Sequence, residues 1–142
     1  MIPQLSPWLM LRDTAALAGG LIVGMSFNMA LITLNASWYA SPDANLADPE
    51  QLQQLIDTMP LTGFLMVLTA HVGQAAFGGW VAARLCASRP QVMALLVGFA
   101  TVAGSVQMLT TYASPPWMWV EVPLVLGLAW MAGRLEHKRR TE

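Results

Sequence analysis

Four stretches of this chain are long and apolar enough to cross a lipid bilayer, and they restrict the fold more than any other feature. They run from about residue 14 to 39, 61 to 86, 91 to 112 and 117 to 135. A hydrocarbon layer is crossed by roughly 20 apolar residues in helical form. No water serves the backbone there, so each stretch must close its own hydrogen bonds as a helix. Charged residues make up only 11% of the chain, against about 25% in a soluble domain, so lipid is the expected solvent of the helix flanks. The expected fold is therefore an all-α bundle of four transmembrane helices, one domain over residues 1–142. Pro123 lies near the start of the fourth stretch, where a missing N–H does least harm.

The positive charges set the threading. Arg12, Arg84, Arg89, Arg134, Lys138, Arg139 and Arg140 lie before the first stretch, around the second connection, or at and beyond the end of the fourth. The outer loop, residues 40–60, has none, yet it holds Asp43, Asp48, Glu50 and Asp57. Basic residues are retained on the cytoplasmic side, so both termini are expected in the cytoplasm and the acidic loop outside. Trp38, Tyr39, Tyr112, Trp117 and Trp119 suit the outer interface, and Trp8 the inner one. The first stretch exceeds the apolar core of a signal peptide, about 7–15 residues, and reads as a retained helix.

Within the outer loop, DPEQLQQLIDTMP reads as a short helix with Asp48 as N-cap, Pro49 at the first position and Glu50 in the first turn. Leu52, Leu55, Ile56 and Met59 form an apolar stripe. Two placements fit: a surface helix that merely joins two spans, or a cap folded over the bundle mouth. The surface helix is the simpler expectation.

One residue is out of place in such a chain: His71, inside HVGQAAFGGWVAARL. A second segment, EVPLVLGLAWMAGRL at 121–135, matches that one in register at Val, Trp, Ala, Arg and Leu, and it sets Glu121 against His71. LIVG and YASP in the first stretch recur as LLVG and YASP in the third. These matches fit a parallel repeat of two helical hairpins, and they equally fit chance agreement of short apolar words. On the repeat register His71 and Glu121 each lie thirteen residues outward from Arg84 and Arg134. That is about 20 Å along a helix, which places both at one depth in the outer half of the membrane. An ion there costs at least about 2.5–3.5 kcal/mol, so such groups neutralise or pair.

Gln74 on the second stretch, Asn28 and Asn35 on the first, and Thr101, Ser105 and Gln107 on the third could join His71 and Glu121 in a small polar cavity. The alternative is that they hydrogen-bond between helices as packing contacts. Small residues recur four apart: Ala16, Gly20 and Gly24; Ala75, Gly79 and Ala83; Ala129 and Gly133. Such spacing lets backbones approach closely, within one chain or between copies.

Catalytic motifs are not evident. Two histidines and one cysteine do not build a zinc site of ordinary spacing, and no phosphate loop or nucleophile elbow is present. No cofactor is expected. No basic patch would hold a nucleic acid; the Lys138-Arg139-Arg140 run belongs to a tail, residues 136–142, that sets topology or meets anionic headgroups. Cys86 stands alone, so no internal disulfide forms.

Asn28, the DPEQLQQLIDTMP helix, AHVGQAAFGGWVAARL and PPWMWVEVP together resemble a family of short, uncharacterised bacterial membrane proteins with four spans. The resemblance implies a multi-pass protein of the bacterial inner membrane and brings no activity with it. Two functions remain open. One is a non-enzymatic accessory or self-assembling protein, acting through its small-residue faces on a homo-oligomer or a larger membrane complex. The other is a small oligomeric transporter or proton-linked channel that uses the His71–Glu121 pair.

Overall fold

The computed structural model describes residues 6–142. Among them are five α-helices and no strand: α1 (Pro7–Tyr39), α2 (Pro49–Thr58), α3 (Leu61–Leu85), α4 (Pro90–Thr111) and α5 (Glu121–Thr141), with a 3₁₀ turn at Pro116–Val120 leading into α5. The four long helices are each long and apolar enough to cross a membrane. Two boundaries differ from the sequence expectation. Helix α1 begins at Pro7 rather than near residue 14, because proline at the first helical position is pre-set for the turn. Helix α5 runs on to Thr141, so residues 136–141 are helical rather than a loose tail.

Helix α3 is the centre. It packs against α1 on one side and against α4 and α5 on the other, and α1 only grazes α4. Glycine sets the close crossings. A Cβ on Gly20 would lie 2.5 Å from the Gly78 carbonyl oxygen, and one on Gly78 would lie 2.6 Å from that of Gly20. Gly24 sits against the Gln74 carbonyl, Gly98 against Ala129, and Gly133 against Gln91 and Ala94. Ala75, Val125 and Ala129 fill the seam between α3 and α5. The small stripes named from sequence thus face inward: Ala16, Gly20, Gly24, Ala75, Gly79, Ala83, Ala129 and Gly133 are all buried.

The large apolar side chains lie outside. Phe77, Trp80, Phe99 and Trp130 are each about half exposed, while Ala70, Ala75, Ala82, Ala83, Ala94 and Ala129 are fully buried. A water-soluble bundle would invert this. When lipid is the solvent, no hydrophobic gain comes from burying Trp or Phe, and van der Waals packing of small residues decides the interior.

The end that carries the basic residues is closed by polar contacts. Arg12 Nε donates to the Leu85 carbonyl at 3.2 Å, and Asp13 accepts from the Ala87 N–H at 2.6 Å and the Ser88 hydroxyl at 2.7 Å. From α5, Arg140 Nη2 donates to the carbonyls of Ala83, Arg84 and Cys86 at 2.7–3.1 Å, covering the open C-terminal carbonyls of α3. Glu136, 1% exposed, accepts from Arg139 at 2.6 and 2.9 Å and from Arg140 at 3.1 Å, with Arg84 3.6 Å away. The first turns of α1 and the last turns of α5 therefore meet the end of α3 and the α3–α4 connection, at the same end of the bundle. Burial pushes the Cys86 thiol in that connection above its ordinary pKa, against the opposing influence of Arg140.

Candidate functional site

The opposite, acidic end is built differently. Asp48 caps α2, its Oδ1 accepting from the Glu50 N–H at 3.0 Å, with Pro49 at the first helical position. Helix α2 is then clipped across the bundle. Gln53 accepts from the Ala113 N–H at 2.9 Å and donates to the Ala113 carbonyl at 3.2 Å, which ties α2 to the chain between α4 and α5. The stripe of Leu52, Leu55, Ile56 and Met59 faces a cavity in the bundle mouth. The joining-helix expectation is therefore corrected: α2 is a cap. Its apolar stripe finds a partner in the gap that opens because α1 and α4 hardly touch.

Beneath the cap lies a cavity of about 360 Å³, within the range of small-molecule sites. Met29 and Ile32 of α1, Phe64 and Val67 of α3, and Met108 and Leu109 of α4 make its wall largely apolar. Met29 and Met108 are also largely exposed, so the cavity wall is thinnest beside them.

His71 and Glu121 form part of this wall. His71 Nδ1 lies 2.7 Å from Glu121 Oε2, the two side chains being 15% and 1% exposed. At this separation the ring nitrogen and the carboxylate oxygen share a short, charge-assisted hydrogen bond. Ser105 Oγ stands 3.4 Å from the same nitrogen, at the outer edge of hydrogen-bond range. Glu121 opens α5, directly after the 3₁₀ turn, and Met118 in that turn is also buried. The turn lets the chain re-enter beneath the cap, so a carboxylate one turn past Trp117 is enclosed rather than left at the rim.

The other polar residues named from sequence divide. Asn28 and Asn35 line the cavity from α1. Asn35 is 3% exposed; its Nδ2 approaches the Met59 sulfur at 3.8 Å, and its Oδ1 has no hydrogen-bond partner. Gln74, Gln107 and Ser105 are not on the cavity wall, which corrects their expected place there. Gln107 follows Ser105 by two residues, a rotation of about 200°, and is exposed on the outside of α4. Gln74 packs toward Gly24 at the α1–α3 contact. Thr101 returns its hydroxyl to the Val97 carbonyl of its own helix at 3.0 Å. Among the described residues, no group of three or more His, Cys, Asp or Glu could hold a metal ion.

The correspondence between the hairpins extends to geometry. Arg84 stacks on Trp80 at 5.7 Å and Arg134 on Trp130 at 4.8 Å, each four residues apart. The glycines of LIVG and LLVG, Gly24 and Gly98, each meet the partner helix of their own hairpin. The register that set His71 beside Glu121 in sequence also sets them beside each other in space. No protein-family model, curated protein or solved structure matches this chain.

Proposed function

We propose that the chain is a multi-pass protein of a bacterial inner membrane, with both termini cytoplasmic, that carries a small molecule through the outward cavity in exchange with a proton. One observation supports this above the others: a His–Glu pair 2.7 Å apart, its carboxylate 1% exposed, on the wall of an otherwise apolar cavity. Ionisable groups inside a membrane domain are rare and mark substrate and proton paths. The accessory reading drew its support from the small-residue faces, and those faces are covered within the single chain. The glycines left open are Gly104 and Gly127, where an added Cβ would meet nothing within 4 Å; they offer contact points for a second copy.

The test is solute flux in reconstituted liposomes under an imposed pH gradient, across a panel of labelled cationic, neutral and anionic small molecules. Gradient-driven flux of at least one class is expected for the wild type, with loss in Glu121→Gln and reduction in His71→Ala. No flux of any class, or equal flux in Glu121→Gln, would overturn the proposal.

A further inference from the structure

Among the described residues, charge is divided sharply between the two ends of the bundle. Asp43, Asp48, Glu50 and Asp57 belong to the loop and cap helix over the cavity, and Glu121 lies in its wall; no lysine or arginine shares that end. Such a field gathers cations and repels anions. The wall beyond the His71–Glu121 pair is mostly thioether, branched aliphatic and aromatic, with Phe64 and Tyr112 able to face a cation. Asn35 adds a buried amide oxygen with no partner, and an unpaired polar group of this kind costs free energy until a donor reaches it. Asn35 itself lines the cavity, which puts that amide beside whatever the cavity holds.

Together these features describe a molecule with an apolar body, a positive charge and N–H donors. We infer that the cavity takes a lipophilic primary or secondary amine in its ammonium form. This rests on the proton-linked reading above and names its substrate class. In this scheme the pair of the empty cavity carries one proton more than imidazole and carboxylate, as imidazolium and carboxylate or as imidazole and carboxylic acid, and is neutral either way. As the ammonium enters, that proton leaves to water and the pair becomes imidazole and carboxylate, of charge −1. The ammonium N–H groups then donate to Glu121 and to Asn35 Oδ1. One cation enters and one proton leaves, so the charge enclosed in the membrane does not change. Entry between Met29 and Met108 suits a molecule that first partitions into the outer leaflet.

Three probes with one apolar body separate the classes: 4-phenylbutylamine, 4-phenylbutanol and 5-phenylpentanoate. Their binding to the full chain in lipid nanodiscs is measured by calorimetry in two buffers of different ionisation heat, which counts the protons released. The amine is expected to bind at least tenfold tighter than the alcohol and to release close to one proton, with the carboxylate not binding. Glu121→Gln should lose both the preference and the release. Asn35→Leu should weaken the amine several-fold while the release is kept. Leu52→Trp, which fills the cavity from the cap, should block the amine and leave the pair's own titration unchanged, which separates loss of the site from loss of folding. An alcohol or carboxylate bound as well as the amine, with Glu121-dependent flux intact, would overturn the ligand class and leave proton-linked transport standing. Amine binding without proton release, unchanged in Glu121→Gln, would overturn both.

Discussion

The two ends of this bundle solve opposite problems with the same four helices. At the basic end, glycine and alanine bring the helices into contact, and Asp13, Glu136 and Arg140 tie the chain ends to the α3–α4 connection. At the acidic end a ten-residue cap covers a cavity between helices that hardly touch, and the buried Asn35 amide oxygen stays without a partner. One end is closed by contacts, the other encloses a cavity. On the proposed function, stability and binding separate along the bundle axis, and loss of a polar group in the cavity wall should differ in sign as well as size from loss of a contact at the basic end.

The largest effect belongs to the tight crossing. Gly78→Val places methyl groups against the Gly20 backbone and should cost about 3 kcal/mol, the upper range for overpacking. Loss of a monodisperse species on size-exclusion chromatography, or a large fall in Tm, would register it. Gly104→Ala, into open space within α4, is the matched control and should leave Tm level or slightly raised, as alanine favours the helix. Next is Glu136→Ala, which strands three guanidinium groups that now converge on one carboxylate. Because those groups are partly exposed, a loss of about 1–2 kcal/mol is expected, read as an earlier thermal transition. If Glu136→Ala were silent, the idea of a latched basic end would fail.

The comparison sharpens at Asn35. Removing an unpaired buried amide by Asn35→Leu should raise stability by about 1 kcal/mol while weakening ligand binding, the opposite sign to either basic-end change. A fall in Tm would show that the amide is satisfied in the folded protein and that the acidic end carries no such cost. A smaller effect is local. Asp48→Ala removes the α2 cap at about 1 kcal/mol, and faster hydrogen exchange should be confined to α2 and the residues it covers. The smallest is chemical: with its thiol pKa raised by burial, Cys86 should react slowly with maleimide at neutral pH and faster as pH rises, without change in fold.

How much of this was legible in sequence depended on range. Hydropathy located the four long helices, since lipid leaves the backbone no alternative to helix. Asp48, Pro49 and the stripe through Met59 announced α2 through local capping and periodicity. The His71–Glu121 contact could be read only through the internal correspondence of 71–85 with 121–135, which converts a sequence offset into a shared depth. Direction around a helix was harder. Polar residues in a span invite an inward assignment, yet Gln107 stands outside because two residues of helix carry it past the interior face. The Arg140 contacts with the α3 carbonyls were hidden because basic residues near a membrane helix end read first as topology signals. Whether Asn35 would find a partner depended on how far α1 and α4 diverge, which no local pattern encodes.

The Gly20–Gly78 contact has a mechanical side. Asn35 lies fifteen residues along α1 from Gly20, about 22 Å at the helical rise. Gly24 against the Gln74 carbonyl, and Tyr39 Oη 2.9 Å from Thr62 Oγ1, hold the same two rods together farther out. A side chain of a single hydrogen atom at position 20 therefore fixes how near the rods run, and with it the line along which α1 carries Asn35 to the opposite mouth.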